Sequence, residues 1–222
     1  MTGKEFISAW ENGSASYKKA ENISQISITF LVGLGLGCFT AAVSLILKQD
    51  VSDSEVCKRV HNSIISAFVM IALAWISGEV CAFCFPTARS EWLIKNNVKL
   101  SRCIKEIRGF ANAPKLSRER REYEKISTAL FLAASPRDVN DRYIMVIFFG
   151  MCAAAIAICA GLCAVENADE WIRYIVDGGE FTFKYGALIP AVFFTAVYIV
   201  LSVFIRKTFL KRKAKWINSF GL

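Results

Sequence analysis

The chain has 222 residues, 55% of them hydrophobic, and a formal net charge of +8 from 27 Lys and Arg against 19 Asp and Glu. Soluble domains reach about half apolar residues only with glycine counted in, so a chain this apolar that keeps 21% charged residues must segregate the two kinds. A single histidine, together with the absence of G-x-S-x-G, H-E-x-x-H or a phosphate-cradling glycine loop, argues against the common hydrolase, metalloprotease and nucleotide-binding classes.

Four apolar runs, 26–47, 63–85, 143–165 and 185–205, each match or exceed the roughly 20 residues that cross a hydrocarbon core as a helix. The expected fold is therefore an all-α membrane protein with four transmembrane helices and a cytosolic antiparallel helical hairpin between spans 2 and 3. Positive charge sets the orientation. The tail 1–25 has three Lys, the insert 86–142 thirteen Lys or Arg and the tail 206–222 six, so 22 of 27 cations fall in these three segments. Translocating cations is disfavoured, which places both termini and the insert in the cytoplasm, in the inner membrane if the source is bacterial.

In the N-terminal tail, Thr2-Gly3-Lys4-Glu5 has the spacing of a capping box, and Phe6, Ile7 and Trp10 share one side of a short helix that Asn12-Gly13-Ser14 would end. That helix suits either the head-group layer or a place against the protein's own cytosolic helices. The first apolar run lacks a cleavage site before a mature domain and reads as a retained span. Within it Gly33, Gly37 and Ala41 form a groove of small residues. Ala74, Gly78 and Ala82 repeat the pattern in the second span and Ala153, Ala157 and Gly161 in the third. Such stripes let membrane helices approach closely, and a homo-oligomer is expected from them.

The loop before the second span holds His61, expected to be a solvated interfacial residue, since no carboxylate stands at ligand spacing in the sequence. No metal and no cofactor are expected. Glu79 lies inside the second span, where a carboxylate is costly and is by default a functional candidate. The other spans carry no Lys or Arg, so its partner is expected to be a hydroxyl, a thiol, water, or one of Thr195, Tyr198 and Ser202, which share one face of the fourth span. Cys81-x-x-Cys84, at the membrane boundary, reads as small packing residues rather than a redox pair. Of eight cysteines only Cys57 is placed outside, where it could link two subunits. Pro86 marks a bend or boundary.

In the insert, Leu93, Leu100, Cys103, Ile107 and Phe110 follow a helical seam, and Asn112-Ala113-Pro114 breaks it, with Asn112 suited to cap the next helix. Leu116, Tyr123, Ile126, Leu130 and Ala133 form a second seam. Two such arms of about 20 residues would make a hairpin about 30 Å long. Ser135-Pro136-Arg137-Asp138 is an N-cap with proline in the first turn. The outer loop 166–184 is acidic and aromatic, and reads as a short interfacial helix followed by a turn at Asp177-Gly178-Gly179, with a small hairpin as the alternative.

The layout of short outer loops and a cytosolic extension between spans two and three is similar in topology to bacterial motor-stator subunits, with no residue carried over. It also resembles small four-span components of bacterial phage-defence and conjugation systems, where a membrane oligomer holds a cytosolic effector. The expectation is a non-enzymatic scaffold that anchors a cytosolic protein partner through Leu93, Leu100, Ile107, Arg118, Arg120, Arg121 and Tyr123, with anionic lipid head groups at the basic tails and no nucleic acid. The alternative is an ion or proton channel using Glu79.

Overall fold

The computed structural model describes residues 3–48, 53–96, 99–107, 113–114 and 116–219. Among these the chain forms six helices and no strand: α1 (Gly3–Lys48), α2 (Ser54–Lys95), α3 (Leu100–Ile107), α4 (Arg118–Ala134), α5 (Pro136–Asp177) and α6 (Leu188–Asn218). α1, α2, α5 and α6 are long and apolar enough to cross a membrane, and only 6% to 22% of their most apolar windows is buried inside the protein. Apolar surface left open on that scale calls for hydrocarbon, not water, around it. The chain is an all-helical integral membrane protein.

The residues gather into two compact units. One contains 1–24, 80–146 and 202–222, which brings the N-terminal stretch, the basic insert and the C-terminal stretch together. The other contains 25–79 and 147–201, most of the apolar runs.

Several helices run further than their local signals suggest. α1 passes through Asn12-Gly13-Ser14 without a break. Gly13 is needed for proximity instead: a Cβ there would lie 2.4 Å from Cζ2 of Trp92. α2 likewise continues past Pro86 to Lys95. The Thr87 hydroxyl donates to the Phe83 carbonyl at 2.9 Å and Ser90 to the Thr87 carbonyl at 2.6 Å, so side chains supply bonds in the turn that proline weakens.

The insert differs from the expected hairpin of two long arms. α3 has 8 residues, about 12 Å of helix, and is separated from the end of α2, while α4 has 17. Phe110 and Asn112 lie outside the described residues. The cap of α4 falls instead on Ser117, whose hydroxyl accepts from the Arg120 amide at 3.1 Å. At the start of α5 the Ser135 hydroxyl donates to the Asp138 carboxylate rather than accepting from a backbone amide as an N-cap would, the Asp138 amide donates to the Ser135 carbonyl at 3.0 Å, and Ser135 serves as the C-cap of α4. The acidic outer stretch is helical, as expected, but as the end of α5, which stops where Gly178 adopts a φ of +66°.

In the second unit, Asn167 fixes the segment that returns to α6. Its side-chain amide donates to the Lys184 carbonyl at 3.1 Å and its oxygen accepts from the Lys184 amide at 3.0 Å. α1 meets α2 at Gly35, where a Cβ would come within 2.9 Å of Ile71 Cγ1 and 3.0 Å of the Ala67 carbonyl. Gly33 and Gly37 have nothing within 4 Å of that position. Gly35→Leu should therefore destabilise the detergent-solubilised protein by about 1–3 kcal/mol through overpacking, whereas Gly186→Leu, where a Cβ likewise meets nothing within 4 Å, should leave its thermal midpoint unchanged. Equal midpoints for the two variants would contradict this helix contact.

Candidate functional site

The basic insert is organised around an apolar core. Trp10 of α1, Leu93 of α2, Cys103, Ile104 and Ile107 of α3, and Ile126, Ala129 and Leu130 of α4 are buried together, with Trp92, Tyr123, Ala133, Trp216 and Ile217 packed against them. Trp10 and Trp92 meet edge to face at 5.9 Å. The N-terminal helix thus takes the second of its two expected places, against the protein's own helices. Its Phe6 and Ile7 side chains, like that of Leu100, lie outside the described part.

This core corrects the expectation that the insert's seam faces a partner. Leu93 and Ile107 are each 1% exposed and are covered by the chain's own N- and C-terminal helices. Charged side chains stitch the same segments together. Glu21 Oε2 accepts from Arg89 at 2.9 Å and from Lys125 at 3.2 Å. Lys213, itself buried, donates to Glu124 at 2.7 Å and to Ser127 and Thr128 at 3.3 Å. Arg212 pairs with Asp138 at 3.0 Å and Asp141 at 3.3 Å. Arg212 and Lys213 are accordingly committed inside the protein rather than free for lipid head groups. Arg206, Lys207, Lys211 and Lys215 are the exposed cations of that stretch.

What the insert presents outward is charge. Arg118 and Arg121 are exposed at the start of α4, and Leu116, just before the cap, is 91% exposed. Arg120 pairs with Glu124 at 3.1 Å and lies over the Tyr123 ring at 5.1 Å. Burial pushes the Tyr123 hydroxyl up, with Glu124 adding to the effect and Arg120 opposing it, so it stays a neutral donor. Cations in the first turn of a helix oppose its macrodipole, at a cost of about 0.3–1 kcal/mol each. Glu119 and the Ser117 cap offset this locally. The arginines are therefore not there to stabilise α4.

In the second unit, Glu79 Oε1 accepts a hydrogen bond from the Tyr198 hydroxyl at 2.6 Å. Trp75 Nε1 in turn donates to the Tyr198 oxygen at 3.2 Å, and Phe149 closes the other side of the tyrosine ring at 5.1 Å. Such chains of donors polarise one another in an apolar setting. Of the three expected partners, only Tyr198 is used. Thr195 spends its hydroxyl on the Ala191 carbonyl at 2.7 Å, and Ser202 belongs to the other unit. Trp75 and Phe149 were missed by sequence reasoning. Trp75 lies one helical turn before Glu79, a spacing that could have suggested it.

The small-residue stripes divide. Ala74 and Ala153 are buried, and Gly161 lies against Phe68 at 3.5 Å, so these serve packing within the unit. Ala157 is half-buried. Gly33, Gly37 and Ala41 are exposed on α1, Gly78 meets nothing within 4 Å, and Ala82 is exposed. All eight cysteines are free thiols, Cys81 and Cys84 among them.

His61 is not merely solvated. Its Nε2 lies 2.6 Å from Oδ1 of Asp169, which is 108 residues away in sequence, and 3.9 Å from Sγ of Cys57. These three are the described residues whose donor atoms could hold a metal ion.

Comparison with protein-family models, with curated proteins and with solved structures finds no match. The fold defines an all-helical integral membrane protein in which four long helices are apolar enough to cross a membrane and the chain divides into two compact units.

Tyr198→Phe should cost about 1 kcal/mol by leaving the Glu79 acceptor and the Trp75 donor without their shared partner. Tyr198→Phe combined with Glu79→Leu should cost less than the sum of the two single changes. Additive losses in a double-mutant thermal series would show that the contact contributes nothing.

Proposed function

We propose that this protein is a non-enzymatic, oligomeric membrane subunit that anchors a cytosolic protein partner through the exposed arginines at the start of α4. The observation that carries the reading is their position. Arg118 and Arg121 stand exposed in the turn of α4 where positive charge is least favourable, while most of the neighbouring cations with an inward position have acidic partners. A local electrostatic cost of this kind is offset when an acidic surface docks there. Because Leu93 and Ile107 are consumed in the core, recognition would be led by charge, with the exposed Leu116 beside the arginines as an apolar contact.

Orientation and self-association follow from the same features. The cation-rich segments gather in one unit, which supports a cytoplasmic placement of both termini and the insert. On the second unit, Trp171, Tyr174, Phe181, Phe183 and Tyr185 are exposed in a continuous row, the arrangement aromatic residues take at a membrane interface. The open stripe Gly33-Gly37-Ala41 fits the same face of a second copy.

A second reading, an ion or proton path, is favoured by the short Tyr198–Glu79 contact. It requires proton flux in liposomes that Glu79→Gln abolishes.

Arg118→Glu with Arg121→Glu should abolish retention of the partner in pull-downs of the full-length protein. The same pair should leave thermal stability unchanged or raise it, since acids suit a helix N-terminus. Gly33→Leu with Gly37→Leu should convert the protein to monomers by native mass spectrometry. Partner capture that survives the charge reversal would overturn the proposal.

A further inference from the structure

Outside the Glu79 cluster and the basic insert, one group of donors converges with no role yet assigned to it. Cys57 and His61 stand four residues apart on α2, hence on one face of the helix, and α5 supplies Asp169. Cys57 Sγ lies 3.9 Å from His61 Nε2, Asp169 Oδ1 lies 2.6 Å from the same nitrogen, and all three atoms are within 4.8 Å of one another.

A thiol, an imidazole and a carboxylate could in principle make a nucleophile, a base and an orienting group. In that arrangement the base takes the nucleophile's proton at one ring nitrogen and is held by the carboxylate at the other. Here thiol and carboxylate meet the same nitrogen. That nitrogen carries either one proton or one lone pair and cannot serve both roles. Convergence of three donor atoms on a common point is instead the geometry that a cation requires.

We infer that Cys57, His61 and Asp169 form a binding site for a borderline-soft divalent cation of the zinc class, with three protein ligands and a fourth position open. Zinc bonds of about 2.3 Å to sulfur, about 2.0–2.1 Å to nitrogen and about 2.0–2.2 Å to oxygen set tetrahedral donor separations of about 3.4–3.6 Å. Relative to the 3.9 Å and 2.6 Å found, the sulfur closes by about 0.3 Å and the carboxylate opens by about 0.8 Å. Both are within reach of side-chain rotation, and His61 and Asp169 keep 29% and 38% of their side-chain surface exposed, so an ion has a way in. The thiol proton leaves to solvent as the thiolate binds, and Nε2 gives its lone pair in place of its hydrogen bond to Asp169. The sulfur ligand disfavours magnesium and calcium, which take oxygen donors. Bound there, the cation ties the first turn of α2 to α5.

The test uses the full-length protein in detergent, reduced and freed of metal, with zinc chloride as the probe. One zinc ion per chain is expected from elemental analysis after desalting, with affinity falling at least tenfold in His61→Ala and in Asp169→Asn. Cobalt in its place should give a near-ultraviolet thiolate charge-transfer band that Cys57→Ser removes. Zinc should also slow alkylation of Cys57 in the unaltered chain, a readout that does not depend on any variant folding. Zinc content and affinity unchanged by His61→Ala would mean binding by other cysteines and would overturn the inference, as would alkylation of Cys57 at the same rate with and without zinc.

Discussion

Hydrocarbon cannot solvate charge, and this constraint orders the whole molecule. α1, α2, α5 and α6 leave most of their apolar windows open, so they are stable only where lipid covers them. Most of the charges excluded from those windows collect in 1–24, 80–146 and 202–222, where several pair with one another. Glu21 holds Arg89 and Lys125, Glu124 holds Lys213, and Asp138 with Asp141 holds Arg212. Burying a cation such as Lys213 is tolerable only because an acid and two hydroxyls meet it. The apolar core around Trp10 then gives the same segments a fixed mutual packing.

That arrangement turns the insert from a free hairpin into part of a supported platform. Its apolar side is closed by the termini of the same chain, and what remains outward is a set of arginines on a short capped helix. In the proposed reading this presentation of charge would suit recognition, because less backbone freedom is lost when a pre-formed helix docks. The polar group within the second unit is satisfied locally by Tyr198 and Trp75, consistent with a role in holding α2 against α6 there.

Much of this was legible in the residues. The apolar runs, the helix boundary at Ser135-Pro136 and the seams through Ile126, Leu130, Cys103 and Ile107 are local patterns, and local sequence signals report them directly. The lack of cations in the other spans narrowed the partner of Glu79 to neutral groups, among them Thr195, Tyr198 and Ser202, and only the fold singles out Tyr198. What failed was long-range or depended on fit. Gly13 reads as a terminator until Trp92 is seen against it, and Gly35 rather than Gly33 makes the close approach, although both stand in the same glycine run. Lys213 reads as a tail cation suited to anionic lipid head groups because lysine is seldom buried, yet here it is enclosed by Glu124, Ser127 and Thr128. Asp169 could not be matched to His61 from spacing, since the two lie 108 residues apart and are joined only by the packing of α2 and α5.

The proposed orientation, with residues 86–142 in the cytoplasm and the stretch 166–184 on the opposite side, rests on the distribution of cations along the chain. Single cysteines placed at Arg118 and at Phe181 in a chain cleared of its own thiols, probed with a membrane-impermeant maleimide, test it most directly. In intact cells the account predicts labelling at 181 and none at 118 until the membrane is permeabilised. Labelling at 118 in intact cells, or labelling of both positions from one side, would contradict it.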